Sequence, residues 1–183
     1  MSWRRCLILL AAAILYGGVG TADDRPAGIL YGPGHSYMLE AATGWVLDSE
    51  GGASQGLHAV FYPRGSSWSD SLAAIYTTAV ERRDGESLDQ FINRELAPFR
   101  SDGVAVETQT PIITADGKTA AVRFLTGGSH NSFEAIAYVP ESKVIALIVL
   151  TARDQQSFGA ALLPFAEVVR SYRFLTDSVR IER

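Results

Sequence analysis

Cysteine is almost missing from this chain of 183 residues: Cys6 is the only one. Nothing after it carries a thiol, which excludes a disulfide framework, a cysteine nucleophile, thiolate metal ligation and thiol redox switching together. Lysine is nearly as scarce, with Lys118 and Lys143 the only two. The formal net charge is −4, and after Ala22 it is −6, because 20 acidic residues there face 14 basic ones that form no cluster. A nucleic-acid groove or a polybasic membrane patch needs clustered cations, so neither is expected. Long apolar runs are also missing. The longest, residues 6–16, has eleven residues against the ~20 that span a bilayer, so stable membrane insertion is not expected either.

Signatures of catalysis are absent too. No Gly-x-Ser-x-Gly elbow, phosphate-binding loop, dinucleotide fingerprint or His-Glu-x-x-His occurs. The three histidines, His35, His58 and His130, share no spacing that a metal would use. Gly127-Gly128-Ser129-His130 resembles a phosphate loop, but a strand pattern follows it, and no helix N-terminus is there to face an anion. The expectation is a chain without cofactor or metal, and not an enzyme.

What is present begins with an export signature. Arg4 and Arg5 precede the apolar run, Gly17 and Gly18 break it, and Gly20 and Ala22 set small residues at −3 and −1 before Asp23. Residues 1–22 therefore read as a signal peptide. The expected location is the bacterial periplasm, or otherwise the medium outside the cell. Residues 23–36, with two prolines and three glycines and no hydrophobic period, read as a flexible lead-in.

From residue 37 the pattern turns to strands. Residues 57–62 alternate with period two, and residues 73–81 are rich in β-branched and aromatic side chains. Residues 87–100 switch to period 3.6, with Leu88, Phe91, Ile92, Leu96 and Phe99 on one face and a capping box formed by Ser87 and Gln90. Strands resume at 104–111 and 112–114, and Asp116-Gly117 marks a hairpin into 118–126. Further strands are read at 133–139 and 143–151. Residues 144–150 (VIALIVL) hold no polar side chain, the pattern of a strand buried on both faces. Asp154 caps a second helix, in which Pro164 predicts a kink or two abutting segments; a short strand at 172–175 and a polar tail at 176–183 follow. The pattern predicts one α+β domain with a mainly antiparallel sheet and two principal helices.

Four words in this order carry a resemblance: Thr43-Gly44-Trp45-Val46, Ser87-Leu88-Asp89-Gln90-Phe91-Ile92, Glu134-Ala135-Ile136-Ala137-Tyr138-Val139, and the run from Phe165 through Arg170-Ser171-Tyr172-Arg173-Phe174. With the order of elements, they make residues 37–175 resemble the PsbP-like superfamily, which includes the photosystem II P subunit, Mog-type proteins and periplasmic DcrB-type domains. The resemblance implies an α/β/α sandwich and a non-catalytic adaptor or assembly role. It transfers no functional residue, since the matching words are packing signatures. The expected partner is an envelope protein; a small ligand, or an unrecognised hydrolase, with a pocket between sheet and helix is the alternative. Following the strands up and down places Trp68, His130, Asn131 and Arg153 on one rim of loops, a candidate partner surface. For Trp68 itself the favoured reading is that it folds back over the sheet end and caps the core. Protein recovered from the envelope should begin at or near Asp23 on N-terminal sequencing; an intact Met1 in the membrane fraction would contradict the signal-peptide reading.

Overall fold

A computed structural model describes residues 25–128 and 132–179. The elements are β1 (Ala27–Gly32), β2 (His35–Glu40), β3 (Trp45–Asp48), a 3-10 turn (Ala53–Gln55), β4 (Ala59–Pro63), β5 (Ala73–Glu81), α1 (Leu88–Ser101), β6 (Val104–Ile113), β7 (Thr119–Gly127), β8 (Ser132–Pro140), β9 (Val144–Ala152), α2 (Gln155–Ser171) and β10 (Arg173–Thr176). Two antiparallel sheets result, one of seven strands in the order β3-β4-β5-β9-β8-β7-β6 and one of three in the order β1-β2-β10.

The centre of the large sheet is β9, bonded to β5 on one side and β8 on the other. All seven residues from Val144 to Leu150 are buried, as a run without polar side chains demands. Ile145, Leu147 and Val149 face Phe91, Ile92 and Leu96 of α1. Ala146, Ile148 and Leu150 face Phe158, Phe165 and Val168 of α2, together with Tyr37 and Leu39 of β2. The layers are thus α1, the seven-stranded sheet, and α2 with the small sheet beside it. This is the single-domain α+β sandwich that the sequence pattern and the resemblance predict.

Both helices start where their caps stand. The Ser87 hydroxyl accepts from the Gln90 amide at 3.2 Å, and the Gln90 side chain accepts from the Ser87 amide at 2.8 Å. The Asp154 carboxylate accepts from the Ser157 amide at 2.8 Å. Pro164 lies inside α2, which nonetheless runs as one helix of 17 residues instead of two abutting segments.

Two readings of local structure need correction. Residues 27–36 are not a flexible lead-in but the β1–β2 hairpin, paired from Ala27↔Glu40 to Gly32↔His35. Pro33-Gly34 is its turn, with Gly34 at φ +72°, the pairing of proline and left-handed glycine that a tight turn uses. Pro33 and Gly34, which read as flexibility, are therefore turn chemistry, while Gly28 and Gly32 lie within β1. Residues 104–114 are not two strands: β6 is continuous, with a register irregularity between Gln109 and Ile112. Pro111 is tolerated there because β6 is an edge strand, where a missing N–H breaks no ladder on the open side.

Leu147 is 4% exposed and packed under α1. Leu147→Asp would bury a carboxylate at a cost of several kcal/mol, against a total stability of about 5–15 kcal/mol. The variant should be unfolded or insoluble; a soluble protein with the parent's melting temperature would remove β9 from the centre of this account.

Candidate functional site

The loop from Arg64 to Leu72 joins β4 to β5 at one end of the large sheet and is knitted by its own serines. The Ser71 hydroxyl donates to the Ser67 carbonyl at 2.8 Å, and the Ser67 hydroxyl donates to the Asp70 carboxylate at 2.7 Å. Arg153, just past β9, braces it: its guanidinium donates to the Ser69 carbonyl at 2.6 Å, and its amide donates to the Leu72 carbonyl at 2.8 Å. Trp68 is half-buried and meets Tyr76 edge-on at 6.1 Å. That contact lays it over the end of β5, the folded-back arrangement.

Leu72 is the residue the sequence reading missed. It is 56% exposed and forms a ridge between two shallow depressions. On the α1 side, a depression of about 220 Å³ is lined by Trp68, Ala74, Thr151 and Arg153. On the α2 side, one of about 390 Å³ is lined by Trp45, Pro63, Ala160 and Ala161. An apolar residue inside the otherwise polar run Ser-Asp-Ser-Leu was the available signal.

The structure brings Trp68 and Arg153 together. His130 and Asn131 lie outside the described residues. The strand ends on either side of them, Gly127 and Ser132, are paired; Phe133 pairs with Ala152, and Ala152 with Ala73. That hairpin therefore ends at the same edge of the sheet as the Arg64 to Leu72 loop.

A second cluster lies between β2 and the large sheet, and sequence spacing gave no hint of it. His35 is 4% exposed, and its Nδ1 lies 3.1 Å from the Pro33 carbonyl. A carbonyl only accepts, so Nδ1 carries a proton, while Nε2 is buried with no hydrogen-bond partner. The Tyr37 hydroxyl lies 2.7 Å from His58 Nδ1 and 2.8 Å from Thr77 Oγ1. The His35 and His58 rings are 5.2 Å apart, and Tyr37 stacks on Tyr172 at 5.3 Å. The Tyr172 hydroxyl in turn donates to Glu141 at 2.9 Å, and both Glu141 oxygens receive Lys118 at 2.7 Å. Burial, and then the charge of His35, lower the His58 pKa to about 4. Burial pushes the Tyr37 phenol well above its ordinary range. His58 is thus a hydrogen-bonded histidine just before β4. Among the described residues, no group of three His, Cys, Asp or Glu side chains could hold a metal ion.

Comparison with known proteins finds a likeness of structure. No family model matches the sequence, and no curated protein does. By structure, the chain is similar to cyanobacterial PsbP (CyanoP) from Synechocystis sp. PCC 6803, with 15% identity and a TM-score of 0.50, over 87% of this chain and 96% of that one. The fold is PsbP-like. At that identity the likeness establishes architecture alone.

The histidine cluster gives this PsbP-like domain a definite acid response. His58 has a folded pKa of about 4, below the ordinary value near 6.5, so as pH falls the unfolded chain binds the proton first. Its contribution to stability is complete above about 6.5 and is lost progressively as pH falls from there toward about 4. Urea midpoints should drop between pH 7 and pH 5, and His58→Asn should flatten that decline. A midpoint constant over this range would show that the imidazole is not held in the neutral form.

Proposed function

We propose that this chain is an exported, non-catalytic PsbP-like protein that docks a protein partner of the cell envelope through the rim around Leu72. The observation that carries the reading is the ridge itself: an exposed leucine flanked by Trp68 and Trp45 on a loop held in place by Arg153. Large apolar side chains set in a polar surround are the usual anchors of protein recognition. Of the histidines in the described residues, His35 uses Nδ1 on the Pro33 carbonyl and His58 uses Nδ1 on the Tyr37 hydroxyl. The export signature in residues 1–22 and the cysteine-free remainder support a periplasmic location. No helix among the described residues is long and apolar enough to cross a membrane.

Arg153 acts here as a brace instead of an open hook for anions, because its guanidinium already donates to Ser69. Specificity then rests on the aromatic and apolar contacts, with the serines of the loop as the polar surround. A photo-crosslinking side chain at position 72 should capture a discrete partner in envelopes of the native organism, whereas the same group at Asp84, at the opposite end of the sheet, should not. Trp68→Ala should weaken the captured interaction by at least about tenfold, the scale of an interface hot spot, while leaving the fold intact. Equal capture from positions 72 and 84, or indifference to Trp68→Ala, would overturn the reading. Selective protection by a small envelope metabolite, with no protein adduct, would transfer the rim to ligand binding.

A further inference from the structure

Among the described residues four strands lie at the edge of a sheet, β3, β6, β1 and β10, and three of them carry a guard against pairing with another chain. β6 has Pro111, the charge of Glu107 and a register irregularity after Gln109. β3 is only four residues long and ends on Asp48. β10 is equally short, opens on Arg173 and shifts register between Phe174 and Thr176. Edges that are short, charged, bulged or broken by proline resist the addition of a strand. β1 has none of these features. It reads Ala-Gly-Ile-Leu-Tyr-Gly and pairs residue for residue with β2 over all six positions. Among the described residues nothing pairs with its other side. No Asp, Glu, Lys or Arg occurs from Pro26 to Leu39.

The pairing with β2 also fixes which side chains share a face. Leu30 lies opposite Tyr37 on the inner face, against the core. Ile29 lies opposite Met38, and Tyr31 opposite Ser36, on the outer face. Arg173 is also opposite Met38, so Leu175, two residues on, stands on that outer face too. Ile29 is 64% exposed, Tyr31 61% and Leu175 46%. The solvated face of an antiparallel sheet is ordinarily polar, so an apolar one beside an open edge calls for a cover.

We propose that β1 pairs antiparallel with the β1 of a second copy, across a two-fold axis at Leu30, joining two three-stranded sheets into one of six strands. Length, register and charge select a second copy over a strand of another protein. Pro26 and Pro33 bound β1 and have no N–H to extend a ladder, which limits the added strand to about the six residues of β1 itself. Registers that set Ile29 against Leu30 would mix the two faces and are excluded. With Leu30 opposite Leu30, Ile29 of each copy meets Tyr31 of the other, so the favourable pairing of a β-branched with an aromatic side chain occurs twice. β1 brings no charge. The ion pairs at its two ends, Arg25 with Glu40 and Lys143 with Asp177, are each neutral, so the antiparallel arrangement opposes no like charges. Asp177 belongs to the Gly34 end, its carbonyl 3.9 Å from where a Cβ on Gly34 would lie. Such a contact is small, so the dimer forms reversibly, with a dissociation constant on the order of micromolar. No residue of β1 lines either depression beside Leu72, and the dimer would carry two free rims.

Sedimentation of the protein recovered from the envelope tests this. The sedimentation coefficient should climb with concentration from the monomer value toward that of a dimer. Ile29→Lys changes an exposed side chain and charges the edge; it should hold the chain monomeric with an unchanged circular-dichroism spectrum. Leu72→Ser should leave the dimer intact, which separates this surface from the rim. The register has its own readout. With Cys6→Ser removing the one native thiol, Ile29→Cys alone and Tyr31→Cys alone should stay unlinked under mild oxidation. A mixture of the two should form a disulfide dimer, because residues 29 and 31 are the ones set opposite each other. A chain still monomeric at about 100 times that dissociation constant would overturn the proposal. So would a dimer that survives Ile29→Lys or is lost with Leu72→Ser, or a mixture that links no faster than its components. Protection of the β1 amides from hydrogen exchange only after another envelope protein is added would give the edge to that protein and overturn it as well. If Ile29→Lys fails to fold, the cysteine mixture still decides the question.

Discussion

The two-sided burial of β9 is the constraint on which the rest of the structure depends. A strand reading Val-Ile-Ala-Leu-Ile-Val-Leu has no face to offer water, so each face requires its own cover. Burying each of its large aliphatic side chains contributes about 1.5–3 kcal/mol. That sum is realised only if α1 closes one side and α2 with β2 closes the other. The position of β9 between β5 and β8 then fixes which loops meet at the end of the sheet, because Ala73, Ala152 and Phe133 are neighbours across three strands. The Leu72 rim is a consequence of that placement.

Legibility in the sequence follows the range of the interactions. The bounds of β5 and the start of α1 were readable because period-two alternation and a capping box are written within a few residues. β9 was readable because a seven-residue run without polar side chains, rich in β-branched residues, is the pattern of a strand covered on both faces. β1 was not, because its signal is a proline-glycine turn between two short segments, and the glycine at position 32 answers to rings contributed by β2 and the approach to β4. The histidine cluster was invisible for a similar reason: His35, His58, Thr77 and Tyr172 are scattered across most of the chain, and only the packing of the small sheet on the large one unites them.

The rim occupies an intermediate case. That Trp68 and Arg153 share an end of the sheet follows from counting antiparallel strands, and the described residues place them around one depression. That Arg153 is consumed in bracing the loop could not be counted out, since it depends on the carbonyl of Ser69 turning toward it. Leu72 was overlooked because it shares parity with Ala74 and Tyr76, which read as strand positions. It lies one step past the cover that α1 gives them, and a side chain in register with the core is left in solvent.

The most direct measurement is a hydrogen-exchange footprint of the full chain, free and bound to the partner captured through position 72. The account predicts new protection confined to the Arg64 to Leu72 loop and the first turn of α2, with the Pro33-Gly34 end of the sheet unchanged. Protection centred on residues 81–85 and 142–144 instead, with the Leu72 loop exchanging as in the free protein, would contradict it.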